Sequence, residues 1–138
     1  MTQNLRKWLS LIISIVIYYI IHEGAHLALA LAYGTFERIR IAKWGLGIQI
    51  VADTAAMTNA QIFVFCIAGV VATLIVSYIL VWKVKAIGRI GNKLLKAVFY
   101  YTTLVFLLLD PIYLSIIHNF VGGGDMNGIA AMGLSTAT

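Results

Sequence analysis

WLSLIISIVIYYIIHEGAHLALALAY, residues 8–33, decides how the rest of the chain is read. A helix of about 20 consecutive apolar residues crosses the hydrocarbon core of a bilayer, and this run is longer than that. A cleaved leader is the competing reading. Arg6 and Lys7 would be its charged start, and Ala28-Leu29-Ala30 or Ala30-Leu31-Ala32 its cleavage site. Apolar character nevertheless continues from Leu27 to Tyr33, where a leader would stop short. Inside this run stand two histidines and a glutamate, His22-Glu23-Gly24-Ala25-His26. Ionisable groups are costly in lipid, so a cluster of them within a spanning helix marks a functional site.

The spacing says which chemistry. Residues four apart lie one above the other on a helix face, so His22 and His26 can present two neutral imidazoles to one zinc ion. Glu23 sits on the same turn without being a ligand, close enough to take a proton from a water activated at the metal.

Composition supports the membrane reading. Of the 138 residues, 62% are hydrophobic and 11% charged, against about 25% charged in soluble domains, and mean hydropathy is +0.95. A soluble enzyme is excluded on that balance. The net charge of +5 does not point to nucleic acid. Lys83, Lys85, Arg89, Lys93 and Lys96 fall in one inter-helix segment, as cytoplasmic loops do. The single cysteine, Cys66, excludes an internal disulfide and reads as a small buried apolar residue.

The expected architecture is an all-α integral membrane fold of a single domain, residues 1–138. It has a three-transmembrane-helix core and a short membrane-interface β-hairpin between helices 1 and 2. Helix 1 covers about 8–33 after a polar lead, and Ala28, Ala30 and Ala32 offer a close-packing face. The hairpin covers about 35–52. Phe36 to Ile41 alternates with period two, Trp44-Gly45-Leu46-Gly47 makes the turn and the interfacial anchor, and Ile48 to Val51 returns. Helix 2 covers about 60–82, with Ala68, Gly69 and Ala72 as small packing residues, and 83–96 is a basic loop broken by Gly88 and Gly91. Helix 3 covers about 94–121, with Pro111 expected to kink or break it. A short segment, 125–138, closes the chain.

A catalytic zinc takes three protein ligands and keeps one position for water. Three side chains compete to join His22 and His26. Asp125 follows Gly122-Gly123-Gly124, where the backbone can bend toward a metal. Asp110 stands at the Pro111 kink, and His118 lies two turns beyond it. A carboxylate that does not bind metal can still orient a ligand histidine from behind.

At this point the chain resembles the site-2 proteases, intramembrane zinc metalloproteases. His22-Glu23-Gly24-Ala25-His26 matches their His-Glu-x-x-His motif in full. Phe36 to Gly47 is similar to the membrane-lying strand and Gly-x-Gly turn that follow it. Ile67-Ala68-Gly69 is similar to their middle-helix signature, with Val70 where proline is usual. Asn119 to Asp125 is similar to their last motif, shortened by two residues, without its proline and with Met126 after the aspartate.

The resemblance implies a bare core that hydrolyses peptide bonds in or near transmembrane segments of other membrane proteins. It places zinc on His22, His26 and Asp125, with Asp110 the alternative third ligand and Glu23 the catalytic base. Two other classes fit parts of the pattern. One is a catalytically silent zinc-binding homologue that regulates membrane partners, and the other is a small subunit whose His22, Glu23 and Asp110 line an ion path. Arg6, Lys7 and the five basic residues of 83–96 share one side of the membrane, whereas Arg38, Arg40 and Lys43 fall on the other. The positive-inside rule puts the N-terminus in the cytoplasm, opposite to many site-2 proteases.

Overall fold

The computed structural model describes residues 2–41 and 48–112. Helix α1, Gln3–Ala32, starts five residues earlier than the apolar pattern alone indicates. The hydroxyl of Thr2 caps it by accepting from Leu5 N–H, so Arg6 and Lys7 belong to the helix rather than to a lead. It ends where Gly34 takes a left-handed φ of 68°, the conformation that lets the last turn close on itself at little steric cost. Two antiparallel strands follow, β1, Phe36–Ile41, and β2, Ile48–Ala52. A register irregularity between Phe36 and Arg38 bulges β1 at Glu37. The Arg40 guanidinium donates to Gln49 Oε1 across the pair at 2.7 Å. Trp44 and the glycine turn lie outside the described residues.

Helix α2, Asn59–Trp82, opens with a reciprocal capping box between Thr58 and Gln61. The segment expected as a basic loop contains a short helix, α3, Val84–Gly88, which buries Ile87. Gly88 is the last residue of that helix, and Arg89 caps it. Helix α4, Lys93–Ile112, is capped by Asn92, whose carboxamide oxygen accepts from Leu94 and Leu95 N–H. It runs through Pro111 without breaking before Ile112. The rest of the expected third helix and the segment 125–138 fall outside the described residues.

Helices α1, α2 and α4, of 30, 24 and 20 residues, are each long and apolar enough to cross a membrane. They pack pairwise into a three-helix bundle. Contacts fix their sense. Ser14 meets Val98 and Thr102 while Tyr18 meets Phe106 and Asp110, so α1 and α4 run parallel. His26 meets Phe65 and His22 meets Gly69, so α2 runs antiparallel to both.

The bundle is polar inside and apolar outside. Ser10, Ser14, Tyr18, His22, His26 and Ala30 are the buried residues of α1, and Cys66, Gly69, Thr73 and Ser77 those of α2. Exposed positions carry Ile12, Val16, Ile20, Val71, Ile75 and Leu104. Of the three alanines after the motif, only Ala30 is buried. Among the described residues the apolar core is Tyr18, Val105 and Phe106, backed by Leu11, Ile17, Val76 and Leu109.

Candidate metal centre

The buried face of α1 repeats every four residues, and the two histidines are its lower rungs. Their ring centroids stand 5.1 Å apart, His22 stacks toward Tyr18 at 5.3 Å, and His26 packs on Phe65 of α2 at 5.0 Å. Both imidazoles are buried between α1 and α2. The spacing thus delivers two adjacent rings inside the bundle.

Asp110 comes to this site from α4. Its carboxylate is 1% exposed and stands 3.4 Å from His22 Nδ1 through Oδ1. It accepts hydrogen bonds from the Tyr18 hydroxyl on Oδ1 and from the Thr73 hydroxyl on Oδ2. A carboxylate in a low-dielectric interior needs such donors, because an uncompensated buried charge is expensive. Three helices each contribute to the cluster: Tyr18 and His22 from α1, Thr73 from α2, Asp110 from α4.

Gly69 explains how α2 approaches so closely. A Cβ there would fall 2.5 Å from His22 Nε2 and 2.6 Å from both Cδ2 and Cε1. Nearly equal distances to three ring atoms put that position over the face of the imidazole, not in line with the Nε2 lone pair. Gly69 therefore supports the ring from its face. With Nδ1 3.4 Å from a carboxylate, His22 has the kind of acidic partner that fixes the second nitrogen of metal-ligating histidines.

Glu23 is about 100° further round the helix and faces the hairpin. Its Oε2 accepts from Ile50 N–H of β2 at 3.0 Å. It lines a groove of about 340 Å³ with Val16, Tyr19, Ile20, Leu27, Ile48 and Ile50. The rest of the lining is mostly aliphatic, so the carboxylate, the strand amide and the Tyr19 phenol are its polar features.

Asp125 and His118 lie outside the described residues. Among the described residues, no three His, Cys, Asp or Glu side chains converge as a metal cage. His22 and His26 fit two corners of a tetrahedral zinc site in residue type and spacing; a zinc held there would need a third ligand from beyond these two rings. Reading the sequence did not single out Tyr18 and Thr73. The signal available was the four-residue recurrence Ser10, Ser14, Tyr18, His22, His26, a polar stripe on a mostly apolar helix. No family model, no curated protein and no solved structure matches this chain.

Proposed function

We propose that this chain is a multi-pass integral membrane zinc metalloprotease that cuts peptide bonds in or near transmembrane segments, of the kind its motif resembles. The membrane part of this reading rests on the inverted bundle. Serines, threonines, histidines and an aspartate are buried while isoleucines, valines and leucines face out, an arrangement that is stable in lipid and unfavourable in water. The single observation that carries the chemistry is the pair of His22 and His26 rings at 5.1 Å with a buried carboxylate behind one of them.

In this reading His22, His26 and Asp125 hold the ion, and Asp110 is the alternative third ligand. Asp110 is better suited to orienting His22, because both its oxygens already accept hydroxyls from Tyr18 and Thr73. Bound zinc supplies Lewis acidity to a water and to a peptide carbonyl. Glu23 takes the proton of the attacking water and delivers it to the leaving amine. A substrate helix hides its carbonyls in its own hydrogen bonds and must unwind before attack. Once extended, it can pair along β2, where it competes with Glu23 for Ile50 N–H and fills the apolar groove with its side chains. Pairing and release of the base are then one event.

Of the other two classes, the ion path is disfavoured by Phe106. This fully buried ring separates Thr102 from Asp110 along the inner face of α4. A silent homologue is distinguished by measurement. Zinc content of the purified protein, beside His26→Ala, Asp110→Ala and Asp125→Ala, tests the site and selects the third ligand. Stoichiometric zinc without cleavage of any membrane peptide would identify a regulator instead of a protease.

A further inference from the structure

The packing of the helices gathers positive charge at one end of the bundle. Because α1 and α4 run parallel and α2 antiparallel, Arg6 and Lys7 lie at the same end as the five basic residues of 83–96. Among the described residues, no acidic residue occurs in that end. The nearest along the chain, Glu23 and Asp110, sit past the middle of α1 and at the far end of α4.

At this basic end a cavity of about 220 Å³ opens between α1 and α4, lined by Asn4, Lys7, Trp8, Leu11 and Tyr101. Its lining is graded. Asn4 and Lys7 are exposed residues of the first two turns of α1, whereas Leu11 and Tyr101 lie deeper, each eight residues, or about 12 Å, from its helix start. The mouth therefore offers an ammonium and a carboxamide, the floor an aliphatic side chain and a phenol ring, and the rim an indole. Trp8 is 65% exposed, as are rings that sit at the level of lipid headgroups. The volume is several times the roughly 30 Å³ that one water occupies in the liquid, room enough for a phosphodiester.

We propose that this cavity binds the headgroup of an anionic phospholipid, with the phosphate on Lys7 and Asn4, the glycerol and first methylenes on Leu11 and Tyr101, and the surrounding lysines and arginines supplying the attractive field. This rests on the chain spanning a membrane, and not on its being a protease. Basic pockets between membrane helices on a positively charged face hold such headgroups. The graded lining selects a lipid over a free anion, because a phosphate ion has nothing to place against Leu11 and Tyr101.

The test is native mass spectrometry of the full chain in detergent, titrated separately with phosphatidylglycerol, phosphatidylcholine and inorganic phosphate. No cleavage assay is involved, so its failure is distinct from failure of the protease reading. One phosphatidylglycerol should bind in clear preference to phosphatidylcholine. Lys7→Gln should weaken it about fivefold, the loss expected for one cation near the surface. Leu11→Trp should fill the floor and remove the preference, whereas Lys85→Gln, which contributes only to the field and does not line the cavity, should cost clearly less than Lys7→Gln. Equal binding of the two lipids overturns the proposal. So does an equal loss from Lys7→Gln and Lys85→Gln, which would mean diffuse attraction without a pocket. Displacement of the lipid by inorganic phosphate would identify a phosphate site and overturn it too.

Discussion

Replacing Gly69 with alanine tests the geometry around His22 most directly. The new Cβ would fall 2.5 Å from Nε2 and 2.6 Å from two ring carbons. Ordinary van der Waals contact begins roughly 1 Å farther out, so either the imidazole or the α2 backbone must move by about that much. Both are packed on the other side: the ring near Asp110 and Tyr18, the helix against α4 through Thr73 and Asp110. Overpacking of this kind costs about 1–3 kcal/mol. A displacement of about 1 Å also far exceeds the roughly 0.2 Å tolerance of a zinc–nitrogen bond, so zinc affinity should fall by about 10–100-fold, as it does when the support of a ligand is disturbed. The assay is thermal unfolding in detergent together with zinc content after dialysis against a metal buffer. Gly24→Ala is the control on the motif itself. Nothing lies within 4 Å of its Cβ position, and an exposed helical glycine gains about 0.5–1 kcal/mol on becoming alanine. If Gly69→Ala matched wild type in both stability and zinc content, the ring would not be seated where this account requires it.

Four further outcomes are expected. Glu23→Gln keeps an acceptor for Ile50 N–H, so it should leave the fold and zinc content unchanged while lowering cleavage of a membrane peptide by at least about 10²-fold; an unchanged rate would retire Glu23 as the base. Thr73→Val removes one donor from the buried Asp110 carboxylate at nearly constant volume and should cost about 1–3 kcal/mol, read as a lower unfolding midpoint, with Tyr18→Phe costing a similar amount. Asp110→Asn should reduce zinc affinity less than His26→Ala if the carboxylate orients His22, and equally if it is a ligand, as zinc titration would show. Cysteines placed at the exposed Glu37 and Gly91 in a Cys66→Ser background should label from opposite sides of the membrane, with Gly91 on the cytoplasmic side; labelling from one side would contradict the three-span topology.

Much of the centre was legible because it is local. The four-residue spacing of His22 and His26 fixes a shared helix face wherever that helix packs. The extent of α2, the two strands and the basic end followed in the same way from period, composition and charge. What local pattern missed was also local in cause. The Thr2 cap extends α1 back to Gln3, and α3 forms because a short turn of helix, capped at Arg89, can bury Ile87.

By itself, then, the sequence determined three long apolar helices, a hairpin between the first two, and a pair of imidazoles with a carboxylate one residue along. Only the tertiary structure decided what stands opposite them. Asp110 meets Tyr18 across 92 residues and Thr73 across 37, and the Glu23 carboxylate finds its amide 27 residues away in β2. Periodicity says which side chains share a face. Which faces meet, and at what height along their axes, is set by how closely the helices can approach, and here that depends on a glycine under one imidazole and on hydroxyls able to satisfy a buried acid.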